Sequence, residues 1–323
     1  MYTEYPHNKE DKMINKYKHL FVILFITLFF VGSLELKAEQ KNGFDISNAI
    51  IDKDQIFSGG PPKDGIPAIN NPKFINIKDV TYLNDEDIII GMLKGDIAKA
   101  YPTRILIWHE IVNDTIKGEN VAITYCPLCG TAMVFERDIG GITRTFGVSG
   151  LLYQSDVLMY DKETDSLWSQ LGMEAISGTA VGSKLKWLRS EFMTWKAWKQ
   201  KYPNSLVLST DTGFYRDYNA NAYERYFRSD QTMFPVDKNR DELPQKAWVV
   251  GIVINGVAKA YSLNSLEKQS VIDDTISGIK IKINYNVDTK YHKITNEMGE
   301  EIPSVLVYWF AWQAFYPKTQ ILK

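Results

Sequence analysis

The sequence predicts an α+β fold dominated by antiparallel strands. It reads as two copies of a hairpin–helix–strand unit with a middle segment inserted between them. Two observations carry this expectation. Shifting the chain by 160 residues lays Leu83–Tyr125 over Leu243–Tyr285 without a gap, and 13 of 43 positions are identical. Composition alone would give about two or three identities over that length. The turn formers and apolar runs also recur at matching places, so the chain carries an internal repeat, too long and in too few copies for a solenoid.

The N-terminus comes first. Leu20–Leu34 is a nearly unbroken apolar run of 15 residues behind Lys12, Lys16, Lys18 and His19. A membrane span needs roughly 20 apolar residues, and a signal-peptide core about 7–15. Ala38 in "LKAEQ" suits cleavage, and the signal pattern begins cleanly at Met13, which leaves Met1 and Met13 both as candidate starts. Residues 1–38 therefore read as a signal peptide or a retained N-terminal anchor. The expected location is extracytoplasmic, with membrane association through that segment.

In each unit an apolar run meets a tight turn and returns. In the first copy Ile88–Leu93 turns at Gly95-Asp96; in the second the turn is Asn255-Gly256, a strong hairpin signal. Pro102 suits a helix's first turn. The helix is expected to run to about Val112, with Ile105, Trp108, His109 and Val112 on one side and Asn113-Asp114 at its end. A β-branched strand, Val121–Tyr125, leads into Cys126-Pro127-Leu128-Cys129-Gly130, and Ala132–Glu136 continues as strand to a turn at Gly140-Gly141. The middle segment offers a strand, a turn at Asp161–Thr164 and another strand. A short helix from Ser190 follows, with Phe192, Trp195, Trp198 and Tyr202 read as core, then a Tyr-rich loop. The organisation expected is residues 39–155 as the first unit, 156–240 as the middle segment and 241–323 as a second unit without a site.

Composition narrows the function. A net charge of −2 with no basic cluster in the mature part excludes electrostatic capture of nucleic acid. Two cysteines in 323 residues do not form a disulfide framework. No G-x-G-x-x-G or G-x-x-x-x-G-K occurs, so nucleotide loops are absent, and Ser149 and Ser155 lack a G-x-S-x-G elbow. "HEIVN" is not a zincin motif, because Asn113 stands where the second histidine belongs.

The repeat separates scaffold from chemistry. His109 lies over Gln269, Glu110 over Ser270, Cys126 over Asn286 and Cys129 over Thr289. The loaded positions of the first copy are blank in the second, which ties His109 to the cysteines. Thiolates two residues apart on a turn are half a metal site, and His109 would make a third ligand. Such a set favours copper(I) or zinc, with Glu110, a methionine or water to complete it. The rival readings are a thiol–disulfide redox pair of Cys126 and Cys129, cysteines that only pack the turn or form a static disulfide, and an extracytoplasmic interaction scaffold that uses the aromatic middle segment. No catalytic residue and no organic cofactor is indicated, the enzyme question stays open, and the protein partners are unknown.

The motifs "WHEIVND" (108–114), "TYCPLCGTA" (124–132), "FGVSG" (146–150), "MYDKETDSLWSQ" (159–170), "LSTDTG" (208–213) and "RDY" (216–218) stand in this order. Through them the chain resembles the prokaryotic family catalogued as domain of unknown function 3179, over nearly everything from about residue 55 onward. The resemblance implies an exported or membrane-anchored protein and brings no established activity. The family's recurring His and Cys motifs fall on His109, Cys126 and Cys129.

Overall fold

The computed structural model describes residues 1–3, 39–237 and 240–323. The apolar run Leu20–Leu34 and the cleavage point at Ala38 lie outside them. Among the described residues no helix is long and apolar enough to cross a membrane, and none exceeds seven residues. Glu39–Lys323 is one compact unit.

The expectation of an α+β fold is overturned. Among the described residues strand accounts for 42% and helix for 12%, arranged as a five-bladed β-propeller. The first blade runs Glu191–Thr194, Ile88–Lys94, Ile97–Pro102, Leu206–Leu208, Phe74–Asn76. The second runs Trp187–Leu188, Thr131–Glu136, Glu119–Cys126, Ile111–Ile116. A third is built on Phe146–Tyr153 and Asp156–Asp161, flanked by Leu167–Ser169, Glu174–Ser177 and Ile56–Ser58. The fourth pairs Val305–Tyr308, Trp248–Ile254, Val257–Ser262 and Gln320–Leu322; the fifth is Val271–Ile276, Ile279–Asn286 and Tyr291–Asn296.

The stretches read as hairpin–helix–strand units are therefore not structural units. In each, the hairpin belongs to one blade and the strands that follow belong to another. The middle segment is not an insertion either. It forms most of the third blade and lends strands to two others: Phe192 pairs with Ile90, Trp187 with Phe135, and Val207 runs parallel to Ala100.

Local chemistry explains where the helix expectation failed. The helix is only Thr103–Leu106, and Glu110 takes a left-handed φ of +57°. That kink starts the strand Ile111–Ile116, so Asn113 and Asp114 sit inside a ladder opposite Ala122 and Val121. The 3–4 spacing of Ile105, Trp108, His109 and Val112 came from a short helix followed by a buried strand. In the middle segment Phe192 falls on the strand Glu191–Thr194, and the helix is Trp195–Lys201, capped by the Thr194 side chain on the Ala197 amide.

Both hairpin turns form. Lys94 pairs with Ile97 across Gly95-Asp96, and Ile254 with Val257 across Asn255-Gly256. Asn255 and Gly256 both have positive φ, at +50° and +77°, the geometry that matches strand twist. Large apolar side chains fill the spaces between blades. Ile90, Tyr101, Val112, Ile123 and Val134 join the first blade to the second, and Val250, Tyr261, Ile272 and Ile283 join the fourth to the fifth. The cluster holding Cys126, Cys129, Phe146, Trp168, Val307 and Trp312 is where the second, third and fourth blades meet. The Thr194 amide donates to the Thr289 carbonyl at 3.0 Å, linking the first blade to the loop of the fifth.

Candidate functional site

Cys126 and Cys129 lie on the loop of one β-hairpin. Cys126 ends the strand Glu119–Cys126 and pairs with Thr131, so Pro127 to Gly130 form the turn. Gly130 must be glycine. Its φ is +67°, and a Cβ there would sit 2.3 Å from the Trp248 ring. The fourth blade and a neighbouring helix pin the loop backbone. The Tyr308 amide donates to the Cys129 carbonyl at 2.9 Å, and the Tyr226 hydroxyl donates to the Leu128 carbonyl at 2.6 Å. Both cysteines are free and buried.

The third blade brings Asp156 to them. Tyr153 pairs with Asp156 across the two-residue turn Gln154-Ser155, whose φ values of +52° and +63° are unusual for residues other than glycine. The turn places Asp156, 1% exposed, at the head of a strand buried along its whole length. Ligand atoms of Cys126, Cys129 and Asp156 all lie within 4.8 Å of one another. The Cys129 thiol donates to the Ser155 carbonyl at 3.2 Å. One Asp156 oxygen accepts from the Leu171 amide at 2.9 Å, and the other, Oδ1, is buried without a hydrogen-bond partner.

Burial sets the protonation. It pushes the Asp156 carboxyl up to about 7, with the Leu171 amide and the neighbouring thiols opposing the rise. It raises the Cys126 thiol, and raises Cys129 well above its ordinary value, where the neighbouring Cys126 and the charge of Asp156 add to the effect. Glu110 is pushed up to about 8, by burial first and then by Asp156. At neutral pH the cluster is thus rich in protons and has little charge without a cation. Glu110 lines a cavity of about 70 Å³ together with Leu128, Val157, Tyr223 and Phe234.

His109 is not a member of this cluster. Its Nδ1 lies 2.7 Å from the Pro67 carbonyl, so Nδ1 carries the proton, and Nε2 accepts from the Tyr218 hydroxyl at 2.7 Å. Tyr218 in turn bonds Thr212 at 2.6 Å. Burial lowers the His109 pKa and keeps it neutral. The expected Cys₂His set is replaced by Cys₂Asp among the described residues. The physical reason is the short helix: with the chain turning at Glu110, the imidazole faces the "LSTDTG" and "RDY" loop. Sequence reading missed Asp156. The available signal was an acidic residue opening the fully apolar run "VLMY" directly after a turn.

No curated protein and no solved structure matches the chain. A family model described as a protein of unknown function (DUF3179) matches residues 63–300. That stretch spans both the Cys-Pro-Leu-Cys loop and Asp156, and the chain belongs to the DUF3179 family.

Proposed function

We propose that the protein is exported through its N-terminal apolar segment and binds one d-block metal ion at Cys126, Cys129 and Asp156. One observation carries this reading: two thiols and a carboxylate converge within 4.8 Å at a buried point where Asp156 Oδ1 has no other partner. A buried polar atom without a partner is costly, and a cation would satisfy it. Two sulfurs with one hard oxygen suit zinc(II) better than copper(I), because a carboxylate is a poor partner for a soft monovalent ion. Glu110, which feels the Asp156 charge but stands outside the three converging ligands, is placed to complete the set through a water.

The test is metal analysis of protein recovered from the extracytoplasmic fraction, with a free-thiol count and an intact mass. One zinc per chain is expected, on a chain beginning near Glu39. Cys126→Ser, Cys129→Ser and Asp156→Asn should each weaken zinc binding by more than the roughly 10–100-fold that loss of an outer-shell partner costs. Full-length cytoplasmic protein would sink the export claim, and metal-free protein that takes up no added zinc would sink the site. A redox dithiol is the second reading, favoured by the closeness of the two sulfurs, within 4.8 Å of each other. It predicts reversible loss of two thiols on oxidation with no metal dependence.

A further inference from the structure

A cavity of about 670 Å³ opens among four of the five blades. Tyr125 of the second blade, Trp248 and Tyr308 of the fourth and Tyr285 of the fifth line it, with Phe192 of the first. The size is that of a small-molecule site, roughly 300–1,000 Å³. It is separate from the cysteine cluster, although Tyr125 and Tyr308 also brace that loop.

Three of its tyrosines stand apart from the other buried tyrosines of the chain. Tyr101 donates to Asp114, Tyr160 to Asp64, Tyr226 to the Leu128 carbonyl and Tyr261 to Asp274. Tyr125, Tyr285 and Tyr308 are only 6%, 7% and 5% exposed. Their hydroxyls have no hydrogen-bond partner among the described residues, and all three residues face this cavity. The three hydroxyls open onto one space and are free to bond whatever fills it, so a ligand with oxygen atoms to offer would find three phenols unclaimed by the protein.

The rest of the lining narrows the class. Trp248 is half-buried, and its ring centroid lies 4.1 Å from that of Tyr308 with the planes tilted by 39°, so the two rings form an aromatic corner of the lining. Charge at the rim nearly cancels. Arg104 is held by both Asp87 oxygens, and Glu86 and Glu267 are offset in part by Lys290. Neither a strongly anionic nor a cationic ligand is favoured by that balance. Aromatic faces pack against the C–H faces of a sugar ring, and the phenols, carboxylates and Asn219 supply both donors and acceptors for its hydroxyls.

We propose that this cavity binds a short, uncharged oligosaccharide. The test is titration of the protein by tryptophan fluorescence and calorimetry with neutral trisaccharides of glucose and of N-acetylglucosamine, with choline and citrate as charged probes. Saturable binding of a neutral trisaccharide is expected, weakened about 2- to 10-fold by each of Tyr125→Phe and Tyr308→Phe, the loss of one hydrogen bond. These changes remove only hydroxyls that no protein group uses, so thermal unfolding should not move. Three results would each overturn the proposal: neither trisaccharide binding at up to about 10 mM, choline or citrate binding more tightly than both, or the Phe variants binding sugar as the parent does.

Discussion

Metal-free protein should become less stable as pH rises through the weakly acidic range, and Asp156→Asn should remove much of that loss. An aspartate carboxyl ordinarily titrates near 3.8, and burial holds that of Asp156 at about 7 in the fold. Between those values the folded state keeps a proton that the unfolded chain has released. Stability then falls with rising pH, at about 1.4 kcal/mol per unit. The contribution is fully retained below about pH 4 and fully lost above about pH 7, for a total of roughly 4 kcal/mol. The group is buried, so solvent screening does not reduce the figure. Asparagine keeps the shape and the acceptor for the Leu171 amide but cannot ionise. Exposed carboxylates titrate alike in both proteins and cancel in the comparison, and easing of Glu110 once the Asp156 charge is gone adds in the same direction. The assay is urea unfolding after chelation, for parent and variant, at about pH 4.5, 5.5 and 6.5. The stability difference between them should shift by roughly 2–3 kcal/mol in the variant's favour over that range. Parallel profiles would refute the argument. Zinc should invert the parent's trend, since its ligands must lose their protons to bind.

Two further outcomes follow from the geometry. Gly130→Ala should cost about 2–5 kcal/mol in urea unfolding, from a left-handed φ and a Cβ driven into Trp248; a loss below about 0.5 kcal/mol would mean the loop moves freely away from that ring. His109→Ala should leave zinc stoichiometry unchanged, yet destabilise the fold by about 1–3 kcal/mol for each buried partner stranded at Tyr218 and Pro67. Metal loss from a folded His109→Ala protein would restore the histidine as a ligand.

Much of the local structure was legible in the residues. Asn255-Gly256 and Gly95-Asp96 specify hairpins because few other pairs accept the backbone angles of a two-residue turn. The Cys-Pro-Leu-Cys-Gly stretch reads as a strand–turn–strand, and it is one. Trp195 and Trp198 read as core and are buried. The site was half legible: both sulfurs converge, while His109 bonds Pro67 and Tyr218, and Asp156 went unread.

The sequence by itself determined the turns, several of the strands, the apolar N-terminal run and membership of the family. These depend on neighbours a few residues apart, whose backbone and side-chain preferences act locally. Only the tertiary structure decided the propeller, because a hairpin's own residues do not say which blade its outer strand comes from: Phe192 pairs with Ile90 and Trp187 with Phe135 across long stretches of chain. The third member of the cysteine cluster was decided the same way. Asp156 reaches the sulfurs because the second and third blades pack face to face in one core, and that approach is set by the burial of Phe146, Trp168 and their neighbours rather than by any spacing along the chain.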